Sequence, residues 1–270
     1  MNNRIAHRFT SLKETGRKAL IPFVTAGDPS ASVTLEMITG LEAAGADIIE
    51  LGMPYSDPLA DGPVLQRAAQ RALEAGMTPN AYFHLIKEAR RRTELPLVGL
   101  VYVNTLFQYG WEAFGQQAAD AGMDGLIIPD LPLESRYYHG KPLTPLPVTE
   151  IRLVAPTSKH RIQQIAGEAQ GFLYCIASLG VTGARQGLSE NLIPFMEEVS
   201  RHSACPTALG FGISSPEMIQ QIRCLADSFI VGSALVAALE NGIQAEKGVQ
   251  PALNFIRELR EALDKETGEV

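Results

Sequence analysis

No apolar run in these 270 residues approaches the roughly 20 needed to span a bilayer, which argues against a membrane-embedded chain. The net charge of −7 comes with no basic stripe or arm, so nucleic acid and anionic membranes are poor partners. Cysteine is scarce and odd in number: Cys175, Cys205 and Cys224 lie far apart in apolar surroundings and read as buried free thiols in a reducing compartment. His7, His84, His139, His160 and His202 form no HxH or HExxH, and there is no CxxC, so no metal site is expected. The first eighteen residues lack the apolar core of a signal peptide, which points to a cytoplasmic protein. They read instead as an amphipathic helix with Ile5, Phe9 and Leu12 on one face. No low-complexity linker divides the chain, so one domain over 1–270 is expected.

What is present is an alternation. Apolar strand-like stretches at Ala19–Ala26, Asp47–Gly52, Pro96–Tyr102, Gly125–Pro129, Glu150–Ala155, Gly171–Ala177, Pro206–Phe211 and Ser228–Val231 are separated mostly by helical periodicity. Helices are expected over Ser30–Ala44, Gln66–Ala75, Ala81–Arg92, Trp111–Ala121, Ser158–Glu168, Leu188–His202, Pro216–Leu225, Ser233–Glu240 and Gly248–Lys265. Eight strands apolar on both faces, alternating with helices, predict an α/β fold, a single parallel (β/α)8 barrel with an extra N-terminal helix. A doubly wound sheet would usually carry a glycine-rich fingerprint after its first strand, and none is present. Between strands four and five, Pro142, Pro145 and Pro147 forbid a regular helix over Ser135–Thr149 and predict an irregular connection in place of the fourth barrel helix.

In such a barrel the C-terminal strand ends and the loops after them share one face, which holds the site. Here they collect Phe23, Glu50, Asp61, Leu100, Tyr102, Ile127, Asp130 and Tyr174. Glu50 ends an apolar strand, where a carboxylate is unfavourable without a partner or a task. Asp61 follows in a loop shaped by Pro54, Pro58 and Pro63. A buried Glu50 with a raised pKa beside a wetter, ionised Asp61 could serve as acid and base, although each alone could be a salt-bridge partner or a turn-former. The last strand ends carry Gly180–Gly183, Gly210–Ser214 and Gly232-Ser233, whose unhindered N–H groups and helix start suit a phosphate.

The segments ELGMPYSDPLADGPVLQ, FVTAGDP, GLIIPDLPLE, LVAPTS, GVTGAR, GFGISS and IVGSALV occur in this order around that pair, except that FVTAGDP comes first. With them the chain resembles the α-subunit family of tryptophan synthase over nearly its whole length. The resemblance implies a carbon-carbon lyase of tryptophan biosynthesis that cleaves indole-3-glycerol phosphate to indole and glyceraldehyde 3-phosphate by a metal-free retro-aldol route. It implies Glu50 and Asp61 as the catalytic carboxylates, with Phe23, Leu100, Ile127, Tyr174 and Thr182 around the substrate. Gly183, Gly212, Gly232 and Ser233 would hold its phosphate. It also implies a partner-facing loop with Pro54 and Asp57, and a β-subunit partner that carries pyridoxal phosphate, in an α2β2 assembly; no cofactor is expected in this chain.

Two departures stand out: Asn104-Thr105-Leu106 where the family often has Asn-Pro-Ile, and the proline-broken 135–149 segment. Alternatives on the same barrel are a partner-activating subunit with little activity alone, a stand-alone indole-releasing lyase, and a phosphosugar isomerase or epimerase. The last would share the glycines but usually needs another base or a metal.

Overall fold

The computed structural model describes residues 3–58, 61–134, 137–138, 141–177 and 191–265. Each apolar run forms a short parallel strand. β1 (Ala19–Thr25) is buried along its whole length, as a strand covered on both faces must be. It pairs on one side with β2 (Ile49–Gly52), which leads through β3 (Leu97–Leu100) and β4 (Gly125–Ile127) to β7 (Thr149–Ile151). On the other side come β11 (Ser228–Val231), β10 (Thr207–Gly210), β9 (Leu173–Ile176) and β8 (Leu153–Val154). β7 and β8 are two halves of one stretch, parted only at Arg152, and they pair with β4 and β9 respectively. The two ends of the sheet are therefore the same piece of chain, and the sheet closes into a parallel barrel of the expected kind.

The helices form the outer layer. α2 (Ala31–Ala43) is capped by Ser30 and α4 (Pro79–Arg90) by Thr78, each side chain accepting a backbone N–H three residues on. α3 (Pro63–Glu74) opens with proline at its first position. α6 (Trp111–Ala121), α7 (Ile162–Gly167), α8 (Leu192–His202), α9 (Pro216–Ile222), α10 (Ser233–Gln244) and α11 (Gln250–Asp264) complete most of the ring. Among the described residues no helix is long and apolar enough to cross a membrane.

The floor of the barrel is closed. α1 (Arg4–Glu14) buries Ile5, Phe9 and Leu12, the expected face, against an inner cluster that includes Ile48, Val98, Ile127 and Phe172. The Phe9 and Phe172 rings lie 6.2 Å apart. Three aspartates just ahead of strands lock the strand starts by the same device. Asp47, Asp124 and Asp227 donate their backbone N–H to the carbonyls of Leu20, Leu97 and Thr207. Their carboxylates accept the N–H of those same residues at 2.8, 2.9 and 2.9 Å. Arg8 and Arg260 neutralise the fully buried Asp47 at 2.6 and 3.0 Å, and Arg4 and Arg90 neutralise Asp124 at 3.1 and 2.7 Å.

Several local expectations are corrected. A separate helix, α5 (Val103–Tyr109), follows the third strand; its first N–H is held by the Asp130 carboxylate at 2.8 Å, a cap supplied from the end of the next strand. α3 starts at Pro63 rather than Gln66. The helix expected from Ser158 is a 3-10 turn over Pro156–Arg161, with Lys159 at φ 47°, leading into α7. α9 ends at Ile222, short of Leu225, so Cys224 falls in a turn and is exposed; Cys175 is buried and Cys205 partly so, and all three thiols are free.

No helix joins β4 to β7 among the described residues. A two-stranded antiparallel pair, β5 (Tyr137–Tyr138) and β6 (Lys141–Pro142), is followed by an irregular stretch that packs on α6. Trp111 Nε1–H donates to the Thr144 carbonyl at 2.9 Å. Leu146 fills the notch at Gly115, where a Cβ would stand 2.8 Å from its methyl.

Truncating the floor plug tests this packing. Phe9→Ala is expected to lower unfolding free energy by about 3 kcal/mol, read from the urea midpoint. A loss below about 0.5 kcal/mol would show that α1 does not seal the barrel.

Candidate active site

At the open end of the barrel lies a cavity of about 530 Å³. Phe23 of β1, Glu50 of β2 and Val98 of β3 share one row of the strand register, and paired residues point to the same face, here the interior. Val98 joins the inner cluster, while Phe23 and Glu50 line the cavity above it. Gly52 must lack a side chain, because a Cβ there would stand 2.4 Å from the Phe23 ring.

Glu50 is 1% exposed, and its Oε2 has no hydrogen-bond partner. A buried, unpaired carboxyl holds its proton: burial, and next the negative charge of Asp61, push Glu50 up to about 8. Asp61 lies at the end of the loop, its N–H bonded to the Pro58 carbonyl at 3.2 Å and its own carbonyl held by Gln66 Nε2 at 2.9 Å. Partial burial raises its pKa as well, opposed by a hydrogen bond from the Tyr102 hydroxyl that favours the anion. The two carboxyls therefore titrate in order, with Asp61 losing its proton first and its charge helping to keep the proton on Glu50.

Neutral phenols surround the pair. Tyr174 is held well above its ordinary value by burial and by the charges of Glu50 and Asp61. Its ring rests on Gly210, where a Cβ would come within 2.7 Å. Tyr82 on α4 is fully buried and donates to the Leu51 carbonyl at 2.8 Å, bracing the strand that carries Glu50.

The far wall is glycine-rich. Gly212 stands at φ 69° with open space where a Cβ would point, and Gly232 caps α10, which opens with Ser233. All three line the cavity. α10 is tied to α3, the helix that follows Asp61, by an ion network. Arg71 grips the buried Asp28 through Nε at 2.7 Å and Nη2 at 2.8 Å, and reaches Glu240 through Nη1 at 2.6 Å. The carboxylate end and the glycine end of the cavity are thus held at a fixed separation.

The structure brings Glu50, Asp61, Phe23, Leu100, Tyr174, Gly212, Gly232 and Ser233 around one cavity. Ile127 does not line it and sits fully buried in the inner cluster beneath. Pro54 is buried and Asp57 exposed, both in the loop outside the cavity. Thr182 and Gly183 lie outside the described residues. Sequence reasoning collected Tyr102 as a strand end without giving it a role; only the fold sets its hydroxyl on Asp61. It also passed over Leu65, which lies ahead of the expected helix start at Gln66, and Leu153. Among the described residues no three of His, Cys, Asp and Glu cluster as a metal site would require.

A family model described as tryptophan synthase alpha chain matches residues 9–264. The chain is 48% identical over 261 residues to the tryptophan synthase alpha chain of Alkaliphilus metalliredigens, covering 97% of this chain and 98% of that one. It is 51% identical over 225 residues to that of Geobacillus kaustophilus, covering 82% of each. Among solved structures, a tryptophan synthase alpha chain from Legionella pneumophila superposes with a TM-score of 0.87 at 33% identity, covering 100% of both chains.

The raised pKa of Glu50 gives a stability signature. The native state holds this proton more tightly than the unfolded chain, so Glu50's contribution is full below pH 4.5 and is lost as pH rises to about 8. Glu50→Gln removes that loss: its Tm should exceed wild type above pH 8, with the difference vanishing near pH 4.5. A Tm difference independent of pH would contradict the assignment.

Proposed function

The chain belongs to the tryptophan synthase alpha chain family, and we propose that its carboxylate pair carries out that family's reaction, the retro-aldol cleavage of indole-3-glycerol phosphate to indole and glyceraldehyde 3-phosphate. Breaking the bond between indole C3 and the glycerol carbon requires a proton on C3 and removal of one from the adjacent glycerol hydroxyl. Glu50, protonated near neutral pH and with one oxygen unpartnered, has the proton to deliver and can then take the hydroxyl proton. Asp61, the carboxyl that ionises first, is the group to accept the indole N–H and offset the positive charge that develops on the ring when C3 is protonated.

Phe23 and Leu100 supply apolar wall for the indole, with Ile127 as packing beneath it and Tyr174 beside the carboxylates. Gly212, Gly232 and Ser233 offer N–H groups, a hydroxyl and a helix start to the phosphate; the reading assigns Gly183 to the same phosphate and Thr182 to the substrate. The single observation that carries the reading is the buried Glu50, one oxygen without a hydrogen-bond partner, facing a cavity that has an anion-suited wall on the same rim.

The family name implies a β-subunit partner. The reading extends to an α2β2 assembly in the cytoplasm, with this chain as one domain over 1–270, the Pro54–Asp57 loop toward the partner, and pyridoxal phosphate resident in that partner. Indole released here would then pass to it.

The test is indole release from indole-3-glycerol phosphate by the purified chain, with metal chelated and with or without a β subunit. Wild type should release indole, faster with the partner, and Glu50→Gln should lose roughly 100-fold or more in kcat while still binding a phosphate ligand. Near-normal turnover in Glu50→Gln would remove Glu50 from the chemistry. Gly212→Val should raise KM by crowding the anion, and an unchanged KM would count against that wall as the phosphate site.

A further inference from the structure

Tyr102 is 4% exposed and carries the hydroxyl that donates to the Asp61 carboxylate. Its ring does not stand alone. Tyr55, in the loop that runs from β2 to Asp61, stacks on it with centroids 5.1 Å apart and planes inclined by 23°. Asn104, in the first turn of α5, donates from Nδ2 to the Tyr55 hydroxyl at 3.0 Å. Tyr55 is therefore fixed at its face and at its tip to the start of α5, whose own first N–H is held by Asp130. Tyr55 does not line the cavity, so whatever it does for the chemistry passes through Tyr102.

The arrangement makes one mechanical unit of the loop and the carboxylate. A stacked ring restricts its neighbour to a narrow range of planes, and a phenol hydroxyl lies in the plane of its ring, so the stack sets where the Tyr102 O–H points. We propose that Tyr55 is a positioning residue for Asp61: by stacking on Tyr102 and anchoring to Asn104, it couples the seating of the 53–58 loop to the orientation of the Asp61 carboxylate. The proposal rests on the reading of Asp61 as a working carboxylate. Asp61 is faced by Glu50 from β2, Tyr174 from β9 and Tyr102 from the start of α5, while Gln66 of α3 holds its carbonyl. Of these, Tyr102 alone donates to the carboxylate in a way that favours the anion.

The experiment is the pH profile of kcat for the chain alone at saturating indole-3-glycerol phosphate. The low-pH limb reports the group that must be ionised, Asp61, and the high-pH limb the group that must keep its proton, Glu50. Tyr55→Ala should lower kcat by about three- to tenfold, the range of one hydrogen bond, and move the low-pH limb to higher pH, with little change in KM. Asn104→Ala, an exposed change, should act in the same direction more weakly, and Tyr55→Phe, which keeps the stack, should lie closest to wild type. Tyr102→Phe should shift the same limb, and Tyr55→Ala added to it should change kcat and the limb no further, because both act on one bond.

A Tyr55→Ala protein with lowered Tm and an unmoved limb, or effects of Tyr55→Ala and Tyr102→Phe that simply add, would overturn the proposal. So would an Asn104→Ala profile superimposable on wild type in a chain where Tyr55→Ala does not fold. Asp61→Asn is assayed alongside: near-normal turnover there would overturn the reading of Asp61 itself, an outcome distinct from failure of the Tyr55 coupling.

Discussion

A carboxyl group sealed inside an apolar barrel, with one oxygen left without a hydrogen-bond partner, is the constraint on which the site depends. Such a group is tolerated at neutral pH only if it stays protonated, and a buried carboxylic acid that keeps its proton to about pH 8 is a proton donor in waiting. Asp61 strengthens the arrangement from outside, since its charge opposes a second negative charge close by. Two chemically similar residues thus acquire different protonation behaviour from depth, from the charge of one on the other and from the Tyr102 hydrogen bond to Asp61.

The rest of the molecule maintains this difference in depth. At the floor, α1 and the aspartates ahead of β2, β4 and β11 close the barrel and fix the strand starts, and the cavity lies at the other end. At the open end, Arg71 binds Asp28 and Glu240, tying the helix behind Asp61 to the helix that begins at Ser233. A substrate with an aromatic end and a phosphate end needs its two binding walls at a set distance, and this network supplies it. The irregular stretch before β7 leaves this frame intact because it packs on α6 through Leu146 and Pro147, on the outside of the strands.

The barrel was legible because its strands are covered on both faces and therefore read as unbroken apolar runs, while α1 declared itself through Ile5, Phe9 and Leu12. Glu50 was legible as a charge where a strand should be apolar. What escaped was set by contacts distant in sequence. α5 depends on a cap from Asp130, the break at Arg152 divides one strand between two neighbours, and Tyr102 meets Asp61 only after the barrel closes. Ile127 shows the converse, a strand-end residue that the family resemblance placed by the substrate and packing placed a layer below. The exposure of Cys224 follows from where α9 stops, a boundary that periodicity does not fix.

The account turns on the protonation state of one side chain, and that can be read directly. In protein labelled with 13C at glutamate carboxyls, with Glu50 assigned by comparison with Glu50→Gln, its resonance should titrate near pH 8 and move to lower pH in Asp61→Asn. A Glu50 resonance titrating at the ordinary value of 4.5, unmoved by Asp61→Asn, would contradict the central claim that burial and its neighbour's charge hold the proton in place.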